Sequence, residues 1–179
     1  VTSPIEHPAV AEPMDHLRTK GFEVEYSPVG ADGRVDPDVM ADLLRPESSL
    51  ATLILAHNET GVIQEVGRLV DRARSLGVPV HTDAVQAVGR IPVDFHRLGV
   101  ATLAVSAHKF HGPVGVGALL VRSDVKLAPL MFGGGQQAGS RPGTPAVALA
   151  VGMAVALRRW DEQAQERIAR WTKLRDRLE

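Results

Sequence analysis

Short apolar runs alternate with amphipathic stretches along most of the chain. Leu50 to Ala56 (LATLILA), Val78 to Thr82 (VPVHT), Thr102 to Ser106 (TLAVS) and Gly115 to Val121 (GVGALLV) read as buried strands. Phe22 to Val29 (FEVEYSPV) reads as another, followed by a turn around Gly30 to Gly33, and the opening run VTSPIEHPAV reads as the end of a strand. Between the strands lie helical patterns. Asp36 to Leu44 has Asp36 as its cap and Pro37 in its first turn, and Ile63 to Leu76 is amphipathic and stopped by Gly77. Strands separated by helices predict an α/β domain with a mostly parallel sheet covered by helices on both faces. After a Gly-rich loop, Gly133 to Gly143, Thr144 and Pro145 are expected to cap and open a long helix. Its apolar positions include Val147, Val151, Leu157, Ile168, Trp171 and Leu178. A helix of that length usually connects two bodies of a protein. Regular patterns already under way at Val1 and still running at Glu179 predict a piece of a longer protein, with residues 1–179 as one large domain.

Composition narrows the class. Hydrophobic residues make up 44% and charged residues 23%, which excludes a disordered chain. The 20 basic and 21 acidic side chains give a net charge of −1, with no footprint for nucleic acid or an acidic membrane. No apolar run approaches the ~20 residues of a membrane span. The chain has no cysteine, so it contains no disulfide, thiolate metal site or cysteine nucleophile. This composition fits a cytoplasmic protein.

The candidate chemistry is positional. Asn58 follows the strand LATLILA, Asp83 ends VPVHT and Lys109 follows TLAVS. They lie about 25 residues apart, one βα repeat, which sets all three at the carboxyl edges of successive parallel strands, where open α/β sheets bind ligands. Taken singly, Asn58 reads as a turn residue, Asp83 as a helix cap and Lys109 as a solvated charge. Their shared edge points further. A lysine there can form a Schiff base with an aldehyde, and a carboxylate beside it can pair with a protonated pyridine nitrogen. Ser106 and His108, flanking that position in S-A-H-K, can bind a phosphate, and Gln86 lies one turn beyond Asp83 within reach of the same ring. The set describes a pyridoxal phosphate site. The helix N-terminus expected at Thr144 could receive a phosphate or simply be capped. Gly133, Gly135 and Ala138 match a dinucleotide pattern, but out of place relative to strand and helix. His7 reads either as a solvent-facing side chain or as one lying over a ring. None of the seven histidines sits in a recognisable zinc pattern.

These residues fall within five segments: SPIEHPAV (3–10), HNETGVIQ (57–64), HTDAVQAVGRIPVD (81–94), SAHKFHGPVGVGAL (106–119) and GGGQQAGSRPGTP (133–145). Together and in this order they resemble the pyridoxal-phosphate-dependent cysteine desulfurases of the class V aminotransferase superfamily. The resemblance implies a fold-type-I large domain whose seven-stranded, mostly parallel sheet has GVGALLV running antiparallel. It implies that Lys109 carries the cofactor and moves protons, that Asp83 pairs with the ring nitrogen, and that His7 stacks on the ring and assists proton transfer. It makes Asn58 and Gln86 contacts to the ring's phenolic oxygen, Ser106 and His108 phosphate ligands, and Thr144 a phosphate ligand donated across a homodimer interface. The implied activity converts L-cysteine to L-alanine, with the sulfur passing to an enzyme cysteine outside this chain and then to an acceptor or scaffold protein for iron–sulfur clusters or tRNA thiolation. Selenocysteine lyase and other class V enzymes share much of the pattern, and the chain alone could also be a catalytically silent binding or dimerisation module. His57 stands where the family usually has Asn, and Val114 where it commonly has Lys. The family's upstream phosphate loop, and the small domain with its cysteine loop and substrate-carboxylate arginine, have no counterpart in these residues.

Overall fold

A computed structural model describes residues 1–179. Four regular strands form a sheet in the order β1 (Ala51–Thr52), β2 (Val80–Asp83), β3 (Thr102–Ser106), β4 (Gly117–Val121). The β1–β2 and β2–β3 pairs are parallel and β3–β4 is antiparallel. The antiparallel return at GVGALLV is therefore present. Ladder bonds continue past the short β1: Leu53 N–H donates to the His81 carbonyl and Leu55 N–H to that of Asp83.

The sheet extends beyond β1. Thr52 N–H donates to the Val1 carbonyl, and the Val1 ammonium donates to the Leu50 carbonyl. On the far side Thr2 N–H donates to Glu25 and Ser27 N–H donates to Thr2. Val1–Ser3 thus lies between β1 and residues 25–27, joined to the latter by one parallel bridge, Thr2 to Tyr26. The expected strand over 22–29 is reduced to this short contact. Pro28, which has no N–H, and the exposed Phe22 leave no longer ladder.

Alternation along the strands sorts the sheet into two faces. Leu53, Leu55, Val80, Leu103 and Val105 join Leu69 of α3 and Met40 of α2 in one buried core. Helix α2 (Pro37–Asp42) starts as expected, with the Asp36 carboxylate accepting from the amides of Asp38 and Val39. Helix α3 (Val66–Arg74) buries Val66, Leu69, Val70 and Ala73, one stripe at helical spacing. The opposite face carries Thr52, His81 and Thr102 in one row and Ile54, Asp83 and Ala104 in the next.

Helix α1 (Pro8–Thr19) begins inside the run read as the end of a strand and continues over residues for which the sequence indicated no element. It starts at the His7 cap, and its short apolar stripe of Val10, Met14 and Leu17 is only half-buried and interrupted by Pro13. A one-turn helix, α4 (Phe95–Leu98), is capped by Asp94 and stopped by Gly99. The long helix is present as α5 (Val147–Arg175), 29 residues with Met153 and Trp160 buried. Its start corrects the expected cap at Thr144. Ala146 adopts φ −77°, ψ 75°, and Val147 N–H donates to the Pro145 carbonyl. That is an inverse γ-turn. It separates Thr144 and Pro145 from the helix, and no side chain caps it.

Candidate functional site

The carboxyl ends of β1, β2 and β3 bring most of the singled-out residues to one edge. Asp83 is the last residue of β2 and is 7% exposed. Its Oδ1 accepts the Val85 N–H at 2.8 Å and braces the turn that follows; no helix starts there, so Asp83 is not the helix cap expected, and this bond engages only one oxygen. The second oxygen has no protein donor and can accept from a ligand cation. Asp83 pairs in register with Ala104, which leads through Ser106 directly into the turn holding Lys109.

That turn is a short 3-10 helix, Ala107–Phe110. Packing fixes it tightly. Phe110 is 2% exposed, and Gly89, at φ +82°, lies so close that a Cβ there would come within 2.2 Å of the Phe110 Cβ. Gly112 is equally constrained: a Cβ there would lie 2.9 Å from the Ala107 Cβ and carbonyl. The backbone on either side of Lys109 is thereby fixed. The Lys109 side chain is half-buried and enters no ion pair. The Ser106 hydroxyl and His108 Nδ1 lie 2.9 Å apart, a hydroxyl and an imidazole presented together at the strand end. A donor pair next to a free amine and a half-free buried carboxylate fits the phosphate, aldehyde and ring nitrogen of pyridoxal phosphate.

Asn58 is exposed in the turn after β1. His57 organises that turn: its Nδ1 accepts from the amides of Thr60 at 3.1 Å and Glu59 at 3.4 Å. An Asn side chain commonly makes such bonds, so His57 can serve the turn as Asn would. Gln86 is half-buried in the turn that follows β2. His7 is exposed and its Nδ1 accepts the Ala9 N–H at 3.2 Å, which makes it the cap of α1. Thr144 is exposed, and no hydrogen bond ties its side chain to the other seven residues. The Gly-rich loop before it holds Gln137 and Ala138 at φ 50° and 53°, left-handed values costly for residues with a Cβ.

A buried and a half-buried group beside the site were not anticipated. Glu6 is 7% exposed, and its Oε1 accepts the Ile54 N–H at 2.7 Å. Burial pushes its carboxyl up to about 7, against the Ile54 bond, and the negative charge of Asp83 adds to the rise. His81, two residues before Asp83 on the same face, bonds to the Thr102 hydroxyl through Nδ1 at 2.8 Å. Burial lowers its pKa, while Asp83 works in the other direction. Alternation along HTD could have flagged His81 as Asp83's neighbour. Nothing in IEHP marks Glu6 as buried.

Residues 1–178 match the aminotransferase class-V family. The cysteine desulfurase IscS of Dictyoglomus turgidum is 44% identical over 98% of this chain, and the match covers 45% of that protein. A solved NifS-like protein superposes with a TM-score of 0.95 at 41% identity, covering 99% of this chain and 49% of the other. A structure described as SspA in complex with cysteine superposes with a TM-score of 0.84 at 36% identity, covering 88% and 46%. The chain spans about half the length of the relatives it matches.

Proposed function

Because this chain belongs to the aminotransferase class-V family, we propose that it is the cofactor-binding large domain, residues 1–179, of a pyridoxal-phosphate-dependent cysteine desulfurase. One observation carries the reading. A buried carboxylate with one uncommitted oxygen and a half-buried lysine without an ion partner stand at the carboxyl ends of adjacent parallel strands.

When bound, pyridoxal phosphate supplies an electron sink for charge developing at the substrate's α-carbon. Lys109 would carry the aldehyde and, once released, move a proton at the α-carbon. Asp83 would hold the ring nitrogen's proton through its free oxygen, in a buried setting where that ion pair is poorly screened. Ser106 and His108 would hold the phosphate. His7 would lie over the ring, while Asn58 and Gln86 would contact the phenolic oxygen. Thr144 would serve a partner's phosphate, which its exposed and untied position on its own subunit supports. A homodimer is therefore part of the proposal.

The substrate assignment to cysteine rests on the named relatives and on the neighbour solved with cysteine. The sulfur-accepting thiol lies outside these residues, since the chain has no cysteine. An acceptor or scaffold protein would then take the sulfur, in a cytosolic setting to which the cysteine-free composition is suited. No helix is long and apolar enough to cross a membrane. The test is alanine formation from L-cysteine by the whole protein loaded with pyridoxal phosphate. The reading predicts turnover that Lys109→Ala abolishes. Undiminished turnover in that variant, or none in the wild type, overturns it.

A further inference from the structure

Glu6 and Asp83 are the only buried acidic side chains of the chain. Asp83 has an assigned task and Glu6 has none. The local hydrogen bonding shows what Glu6 does. Val1–Ser3 runs beside β1, and Thr52 N–H donates to the Val1 carbonyl. The next inward donor on that edge of β1 is Ile54 N–H, which would meet Ser3 if the ladder continued. Pro4 follows Ser3 and the chain turns away. The Glu6 carboxylate fills the vacated place, accepting from Ile54 at 2.7 Å, with the Ser3 hydroxyl 3.5 Å from the same oxygen. A buried amide without this acceptor would lose the full value of its solvation.

The consequence passes to the neighbouring residue. His7 follows Glu6 and caps α1, and α1 buries none of its own side chains. Its inward side chains, Val10, Ala11, Met14 and Leu17, are only half-buried, so packing alone holds the start of α1 loosely. The Glu6–Ile54 bond ties that point to the end of β1, and it sets a second carboxyl close enough to Asp83 for the two charges to interact. The other Glu6 oxygen, Oε2, is buried and has no partner. Asp83 is the charged group acting on Glu6. Ser3 and Ile54 face it with neutral donors, and the same Asp83 charge also acts on His81.

We propose that Glu6 is a positioning residue of the cofactor site: it replaces a strand neighbour at Ile54 and thereby fixes His7 relative to Asp83. The inference rests on the pyridoxal phosphate reading of the site and adds to it a residue that does not touch the cofactor. Glu6→Gln keeps an acceptor for Ile54, whereas Glu6→Ala removes it. In the whole protein without cofactor, Glu6→Ala should speed amide exchange at Ile54 about tenfold or more, and Glu6→Gln should leave it near wild type. In the loaded protein, Glu6→Ala should weaken cofactor affinity about tenfold and flatten the circular dichroism of the bound cofactor's absorbance band, since the ring loses its fixed orientation. Glu6→Gln should restore both. If Glu6→Ala does not fold, Glu6→Leu fills the space without an acceptor and takes its place. Wild-type exchange at Ile54, or unchanged affinity and dichroism in a variant whose Ile54 is deprotected, overturns the proposal. A wild-type protein that takes up no pyridoxal phosphate instead overturns the cofactor reading, and the exchange at Ile54 still reports whether Glu6 makes the bond in solution.

Discussion

Replacing Glu6 by Gln should change how stability depends on pH, by an amount that follows from burial. The Glu6 carboxyl titrates near 7 in the folded chain against 4.5 for the exposed group, with desolvation as the main cause. A group whose folded pKa is raised binds its proton more tightly in the native state. Its contribution is fully present below the unfolded pKa and is lost as pH rises through the folded one. Between about pH 4.5 and 7, ionising Glu6 should therefore remove about 3 kcal/mol of stability, at ~1.4 kcal/mol per pH unit of displacement. For a domain of this size that is a fall in Tm of about 6–12 °C. Gln carries no charge in this range, so the variant should lack that slope. His81, whose folded pKa is depressed, contributes in the opposite sense: its stabilisation is lost as pH falls. It remains in both proteins and cancels in the difference. The assay is urea unfolding of the cofactor-free protein at intervals from pH 4.5 to 8, wild type against Glu6→Gln. The difference in unfolding free energy should drift steadily in favour of the variant as pH rises. Parallel profiles would refute the reasoning, because they would mean that Glu6 ionises in the native state as it does in water.

Three further outcomes follow from the geometry. Asp83→Asn keeps an acceptor for the Val85 amide but removes the charge, so pyridoxal phosphate should bind about 10–100-fold more weakly in an absorbance titration while urea stability stays near wild type. Gly89→Ala places a Cβ 2.2 Å from that of Phe110 at a positive φ and should cost at least about 2 kcal/mol in urea unfolding. Leu53→Ala empties a position with no solvent exposure in the core against α3 and should cost about 3–4 kcal/mol in the same assay.

The sheet and the strand-end site were legible because burial imposes local patterns. LATLILA, VPVHT and TLAVS are apolar since parallel strands have two faces to cover, and the residues after them fall on one edge by topology alone. Helix α3 declared itself through its buried stripe. Helix α1 did not, since its short stripe of Val10, Met14 and Leu17 is only half-buried and Pro13 falls within it. The start of α5 was misplaced because Thr and Pro are good capping residues wherever the chain allows it, and a γ-turn at Ala146 intervened. Glu6 escaped notice for a different reason. Its burial depends on a gap in a ladder between segments some 50 residues apart, which no local pattern records.

The central claim, that Lys109 carries the cofactor, has a direct measurement. The whole protein is incubated with pyridoxal phosphate, reduced with borohydride to make any carbon–nitrogen link permanent, digested and sequenced by mass spectrometry. The chain has four lysines, Lys20, Lys109, Lys126 and Lys173. The account predicts the cofactor's mass on the peptide containing Lys109 at near-stoichiometric yield. Labelling spread over Lys20, Lys126 and Lys173, or absent from Lys109, would contradict it.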